Sequence, residues 1–153
     1  MIEIITYENK YQPDFKRLNL EWLDGYGLTE SHDIAMLDDP EGMIINANGM
    51  IFLAKDNDTI IGSAGIVQDH HHKEHYELVK MFVSPEYRGK GLSKLLLDRC
   101  LEEARKLGAQ KMILFSSSKL QTALKLYEQY GFKHVDVTDS PFETADVRME
   151  LAL

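Results

Sequence analysis

The chain has a single cysteine, Cys100, among 153 residues. No disulfide can brace the fold from within, and a reducing compartment is the expectation. Long apolar runs are missing as well. No window approaches the roughly 20 apolar residues that a membrane-spanning helix requires. The opening MIEIITYENK lacks the basic-then-apolar layout of a secretory signal, so the expected location is cytoplasmic, with no membrane partner. Positive charge is in deficit, with 17 Lys and Arg against 25 Asp and Glu and a net charge of −8. A surface of that sign argues against a general nucleic-acid binder and suits a cationic partner. Repeats, low-complexity tracts and linkers are also lacking, and the length suits one domain over residues 1–153.

What is present concentrates between Glu77 and Leu101. Leu78, Val79, Met81, Phe82 and Val83 form the short apolar run of a buried strand, which Pro85 stops because it cannot donate to a ladder. Arg88-Gly89-Lys90-Gly91 follows. Leu92, Leu96, Cys100, Ala104 and Leu107 then recur at the spacing of one helical face. Glycines admit a close backbone approach, the first helical turn leaves its N–H groups unpaired, and Arg88 and Lys90 add charge. The series of strand, glycine-rich turn and helix therefore reads as a phosphate or pyrophosphate cradle. Two common phosphate motifs are excluded. A P-loop needs Ser or Thr after Gly-Lys, and Gly91 stands there; a dinucleotide fingerprint needs a third glycine where Lys94 lies. A tight turn carrying solubilising charge is the competing reading.

The rest of the chain is read as interleaved strands and helices around one mixed sheet. Strands are expected at 2–6, 50–55, 59–67, 111–115, 132–137 and 147–153, beside the central one ending at Val83. A first helix starts near Pro13 and ends at Gly25 and Gly27. A second, shorter helix is capped by Thr29 or Ser31 and stops at Asp38-Asp39-Pro40, with one more turn from Pro40 to Asn46. Gly62 and Gly65 predict a bulge or close approach within their strand. Ser116, Ser117 and Ser118 offer an N-cap to a helix carrying Leu120, Ala123, Leu124 and Tyr127, which Gly131 ends.

Two segments carry a family resemblance. Arg88-Gly89-Lys90-Gly91-Leu92-Ser93 resembles the acyl-CoA loop of the GNAT N-acetyltransferases, Gln/Arg-x-x-Gly-x-Gly/Ala, with Ser93 at the last small position. Downstream, Ala123 to Phe132 resembles that family's Ala-x-x-x-Tyr-x-x-x-Gly-Phe segment, with Leu120 where Asn is usual. The resemblance implies an α/β chain (α+β in its mixed sheet) with about seven strands flanked by about four helices, in the GNAT acyl-CoA N-acyltransferase fold. It also implies acetyl-CoA as co-substrate, no metal, and a primary amine of a small molecule or peptide as acceptor. A homodimer is a further expectation, since many members of that family pair.

The same resemblance distributes the chemistry. The backbone amides of Arg88, Gly89, Lys90, Gly91, Leu92 and Ser93 would hold the diphosphate. The main chain of Met81, Phe82 and Val83 would pair with the pantetheine arm as an added strand. Tyr127 matches the tyrosine that faces the sulfur, where a phenol can protonate a leaving thiolate; packing on the helix face is the alternative. Glu77 is the candidate base for the amine, directly or through water, against the reading of an exposed strand-end carboxylate paired with Lys80 or Lys73. His70, His71, His72 and His75 are read as an exposed loop beside the acceptor mouth, where a histidine can shuttle protons, because adjacent histidines on a loop lack defined ligand geometry. Glu21, Trp22, Tyr26, Asp38 and Asp39 would cover the acceptor side. A non-catalytic acyl-CoA-binding regulatory module on the same fold, and a structural domain binding no CoA, are the rival readings.

Overall fold

Residues that alternate between two apolar environments make the sheet. In the strand Met50–Asp56, Phe52 and Ala54 join one core while Ile51 and Leu53 join the other. Successive side chains point to opposite faces, so a continuous apolar run marks a strand covered on both sides. The computed structural model describes every residue from Met1 to Leu153. It contains β1 (Ile2–Thr6), β2 (Met50–Asp56), β3 (Thr59–Gln68), β4 (His75–Val83), β5 (Lys111–Ser116), β6 (Lys133–Val135) and β7 (Val147–Ala152) in one sheet of order β1-β2-β3-β4-β5-β7-β6. All neighbours are antiparallel except β4 and β5. The helices are α1 (Gln12–Tyr26), α2 (Ser31–Asp38), α3 (Pro40–Met43), α4 (Leu92–Lys106) and α5 (Gln121–Gln129), one more than the resemblance implied because Pro40–Met43 closes as a single turn. None is long and apolar enough to cross a membrane.

The two faces have separate cores. Leu96, Leu97 and Cys100 of α4 and Leu124 of α5 pack with Phe52, Ala64, Leu78 and Met112. Phe15 and Leu18 of α1 and Leu37 of α2 pack with Ile51, Leu53, Ile60 and Val79 on the other face. Each fully buried side chain of this kind contributes about 1.5–3 kcal/mol. At Gly62 α4 packs close on β3, since a Cβ there would lie 3.2 Å from the Ala54 Cβ and 3.3 Å from the Leu96 Cδ1. The expected helical face of α4 is buried from Leu92 to Ala104, but Leu107 is exposed, because the helix ends at Lys106 and the chain turns away through Gly108.

Two irregularities shape the centre of the sheet. Against β2, β3 carries an extra residue next to Gly62. The second bulge lies on the facing strand: Ser63 pairs with Phe82 and Gly65 with Val79, so Lys80 and Met81 together oppose Ala64. Lys80 is a non-glycine residue at φ 52°. Such a conformation is costly and persists only where the surroundings hold it. Then the sheet forks. Only His75, Tyr76 and Glu77 pair with β5, at Lys111, Met112 and Ile113, and beyond them the parallel strands separate.

Several local expectations are corrected. Neither Thr29 nor Ser31 caps α2; Glu30 occupies the cap, and its N–H donates to the Asp33 carboxylate at 2.9 Å. The three serines do not cap α5, whose cap residue is Leu120. Ser118 instead binds Asp146 through its N–H and hydroxyl, at 2.7 and 2.6 Å. The strand expected over 132–137 stops at Val135, because β7 begins at Val147 and the ladder runs out opposite Arg148.

Candidate active site

The fork opens onto two cavities. The larger, about 670 Å³, runs between the glycine-rich turn and α5. Of the residues expected to bind the co-substrate, Met81, Phe82, Val83, Arg88, Gly89, Gly91, Leu92 and Ser93 line it and Lys90 does not. Gly89 and Gly91 hold φ of 79° and 77°, a left-handed conformation that glycine adopts without strain and that turns the chain into α4. Gly91 is the N-cap and provides no side-chain bond, and the first helical amide to find a carbonyl is that of Leu95, onto Gly91. The amides opening the helix therefore face the cleft without intrahelical partners.

Charge separates this cleft from the rest of the surface. Arg88, Lys94, Lys119 and Lys125 line it, and no Asp or Glu does, in a chain of net charge −8. Lys94, Lys119 and Lys125 were not singled out from sequence, because their convergence depends on how α4 and α5 lie across the gap. Arg88 is partly committed to structure: its Nε donates to the Val83 carbonyl at 3.3 Å and its guanidinium sits 5.4 Å from the Phe82 ring centroid. Lys90 turns toward the Tyr87 ring, at 5.3 Å.

The smaller cavity, about 110 Å³, lies on the other side of the fork. Glu77 and Leu78 of β4 and Leu114 and Phe115 of β5 line it, together with Phe142, Thr144 and Ala145 of the β6–β7 connection. That connection is tied down by Glu30, whose carboxylate accepts from the Glu143 and Thr144 amides at 2.8 and 3.0 Å and from the Thr144 hydroxyl. Trp22, Met81, Leu120, Ala123 and Tyr127 line both cavities. The two spaces thus meet at the end of the β4 bulge, beside the α5 phenol.

Glu77 is not an exposed strand-end carboxylate. It is the last β4 residue paired with β5, half-buried in the lining of the small cavity. Desolvation pushes its pKa up to about 7; the Asp69 charge adds to this, while Lys80 and Arg148 oppose it. Lys80 pairs instead with Asp33, both side chains being almost wholly buried. Tyr127 is buried against Phe132, ring centroids 5.8 Å apart, and burial raises its phenol pKa above the ordinary value. Tyr130, the other tyrosine of that helix turn, is committed elsewhere, its hydroxyl donating to Asp98 at 2.7 Å. Burial pushes the Cys100 thiol up too, which keeps it protonated and a poor nucleophile.

A polar relay holds the bulge. The Trp22 indole N–H donates to Asn19 Oδ1 at 3.0 Å, Asn19 Nδ2 to Ser63 Oγ at 3.1 Å, and the Ser63 hydroxyl to the Lys80 carbonyl at 2.6 Å. Asn19, Asp33 and Ser63 were missed from sequence. Of the N-terminal residues expected near the acceptor, Trp22 lines both cavities and Tyr26 the larger one. Glu21, Asp38 and Asp39 line neither: Glu21 pairs with Arg17, Asp38 with Lys16, and Asp39 caps α3.

Comparison with known proteins gives a consistent answer. The acetyltransferase (GNAT) family model matches residues 9–132. The uncharacterized N-acetyltransferase YycN of Bacillus subtilis is 31% identical over 139 residues, covering 89% of this chain and 88% of that protein. The uncharacterized N-acetyltransferase YjgM of Escherichia coli is 43% identical over 60 residues, a match spanning 39% of this chain and 36% of that protein. An acetyltransferase of the GNAT family from Staphylococcus aureus shares the fold at a TM-score of 0.90, with 22% identity and 99% of both chains covered. The Salmonella typhimurium protein yncA, solved with its cofactor acetyl-CoA, superposes at a TM-score of 0.78 with 19% identity, covering 99% of this chain and 94% of that one.

Proposed function

The chain belongs to the acetyltransferase (GNAT) family, and from that premise we propose that it moves an acetyl group from acetyl-CoA to a primary amine of a small molecule or peptide, by direct attack in a ternary complex. The observation that carries this reading is the meeting of two unlike cavities at Met81 and Tyr127. One is cationic and free of carboxylates; the other is small, largely apolar and lined by Glu77. The co-substrate supplies the thioester carbonyl and a thiolate leaving group. The amides from Gly89 to Ser93, with Lys94, Lys119 and Lys125 nearby, fit its diphosphate. The separated edge of β4 at Met81, Phe82 and Val83 takes its amide-bearing arm by strand addition. Glu77 accepts the proton of the attacking amine, directly or through water. Tyr127 gives a proton to the thiolate as the carbon–sulfur bond breaks, leaving amide and free thiol. Holding both reactants in line at the junction can supply about 7–11 kcal/mol in well-oriented cases. The buried, protonated Cys100 plays no part as an acyl carrier.

Coenzyme A at about one hundred times its dissociation constant should stabilise the protein by about 2.7 kcal/mol, read as a rise in melting temperature. Thiol release from acetyl-CoA should then depend on which amine of a panel is added. A thermal shift with no amine-dependent release would leave the binding-module reading standing; no shift at all would remove the cofactor assignment.

The Glu77 role predicts a pH profile. The carboxyl must lose its proton to act as base, so kcat/KM should rise through a limb near pH 7. Glu77→Gln should flatten that limb and lower activity by about 10²-fold. The same raised pKa has the opposite sign for stability: the folded state holds this proton more tightly than the unfolded chain, so the contribution is complete below the ordinary glutamate pKa and is lost as pH rises through about 7. A profile with the limb intact in Glu77→Gln would assign the base elsewhere.

A further inference from the structure

We propose that Asp69, His72 and His75 form a binding site for a divalent transition metal of the zinc class at the β3–β4 turn. One carboxylate oxygen and one ring nitrogen from each histidine lie within 4.8 Å of one another. The two rings have centroids 4.7 Å apart. The converging residues are spaced three apart in sequence and skip His70 and His71, so the objection that adjacent histidines lack ligand geometry does not apply to this set.

The backbone beneath them is pinned. The Asp69 N–H donates to the His75 carbonyl at 2.9 Å, and the His75 N–H to the His72 carbonyl at 3.0 Å. Gln68 Nε2 donates to the Lys73 carbonyl at 2.8 Å and closes the turn from outside. With the main chain fixed, only side-chain rotation separates the donors from the roughly 3.4 Å spacing of a tetrahedron with bonds of about 2.1 Å. Two imidazoles and one carboxylate select zinc, nickel or copper over calcium or magnesium, which require oxygen donors. Three protein ligands leave a fourth position for water. None of the three residues lines either cavity, so zinc binding can be read without any acetyl-transfer assay, although the Asp69 charge also bears on Glu77.

The test uses the full chain without an affinity tag, stripped with EDTA and titrated with zinc chloride by calorimetry. One equivalent should bind in the micromolar range. His72→Ala and His75→Ala should each weaken binding by about 100-fold, and Asp69→Asn by about 10-fold. His70→Ala and His71→Ala should change it by less than about threefold. Cobalt chloride should give the intense visible bands of a four-coordinate ion in the parent and not in His72→Ala. Four of the five substitutions fall on the β3–β4 turn and the fifth on the first residue of β4, and equal melting temperatures in EDTA would verify that each variant is folded. The proposal is overturned if the parent takes up no zinc, if the His72→Ala/His75→Ala double variant binds as well as the parent, or if His70→Ala and His71→Ala weaken binding as much as the named ligands.

Discussion

Tyr127→Phe is expected to lower turnover by about 10²–10³-fold while leaving acetyl-CoA affinity nearly unchanged. The substitution deletes one hydroxyl and keeps the ring that packs against Phe132. Burial holds the phenol protonated across the working pH range, which is the state a general acid needs. In the proposed reaction, its position on the wall shared by both cavities suits it to protonate the departing thiolate. In the same proposal, binding draws on the amides and lysines of the larger cleft, which the change leaves alone. The loss should therefore appear in kcat, with the dissociation constant of acetyl-CoA the same as in the parent. Equal turnover in the two proteins would remove Tyr127 from the chemistry and return it to a packing role.

Asp33→Ala should cause the largest loss of stability among single substitutions at the site, about 3–5 kcal/mol. Lys80 and Asp33 are ion-paired with side chains 5% and 3% exposed, so removing the carboxylate strands a buried ammonium. The Glu30 amide loses its acceptor at the same time. For a chain of this length that cost is a melting-temperature drop of roughly 6–20 °C. The double variant Asp33→Leu/Lys80→Met, which removes both charges, should recover most of it. Thermal or denaturant melts measure both, and a drop below about 1 kcal/mol for Asp33→Ala would mean that water reaches Lys80 and that the pair does not hold the bulge.

What was legible in the sequence follows from the range of each constraint. The β4–turn–α4 unit could be read because apolar periodicity and glycines at positive φ report local backbone geometry, and Gly89 and Gly91 sit where the turn needs them. Tyr127 and Glu77 were nominated through the family resemblance, the first by its motif on α5 and the second by its position on β4. The burial of Glu77 was not visible, because the small cavity that it lines is completed by Leu114 and Phe115 of β5 and by Phe142, far along the chain. The bulge-holding contacts are equally remote: Lys80 reaches Asp33 across 47 positions, and Asn19 reaches Ser63 across 44. Neither spacing has a local signature. Buried polar residues such as Asn19 look, in a sequence, like the solvent side of a helix. The three lysines of the cleft were overlooked for the same reason, since single exposed lysines, Lys94 on α4, Lys125 on α5 and Lys119 in the turn before α5, carry no directional information.

The sheet order has a consequence for how the protein is made. β5 touches β4 through three residue pairs but is fastened to β7 through six, from Lys111–Ala152 to Ser116–Val147. One wall of the small cavity is therefore secured chiefly by a strand that a ribosome produces among the last residues of this sequence. While that strand is still inside the exit tunnel, β5 presents a bare hydrogen-bonding edge, a template for misdirected pairing. Until β7 has emerged and paired, the small cavity lacks the strand that holds one of its walls.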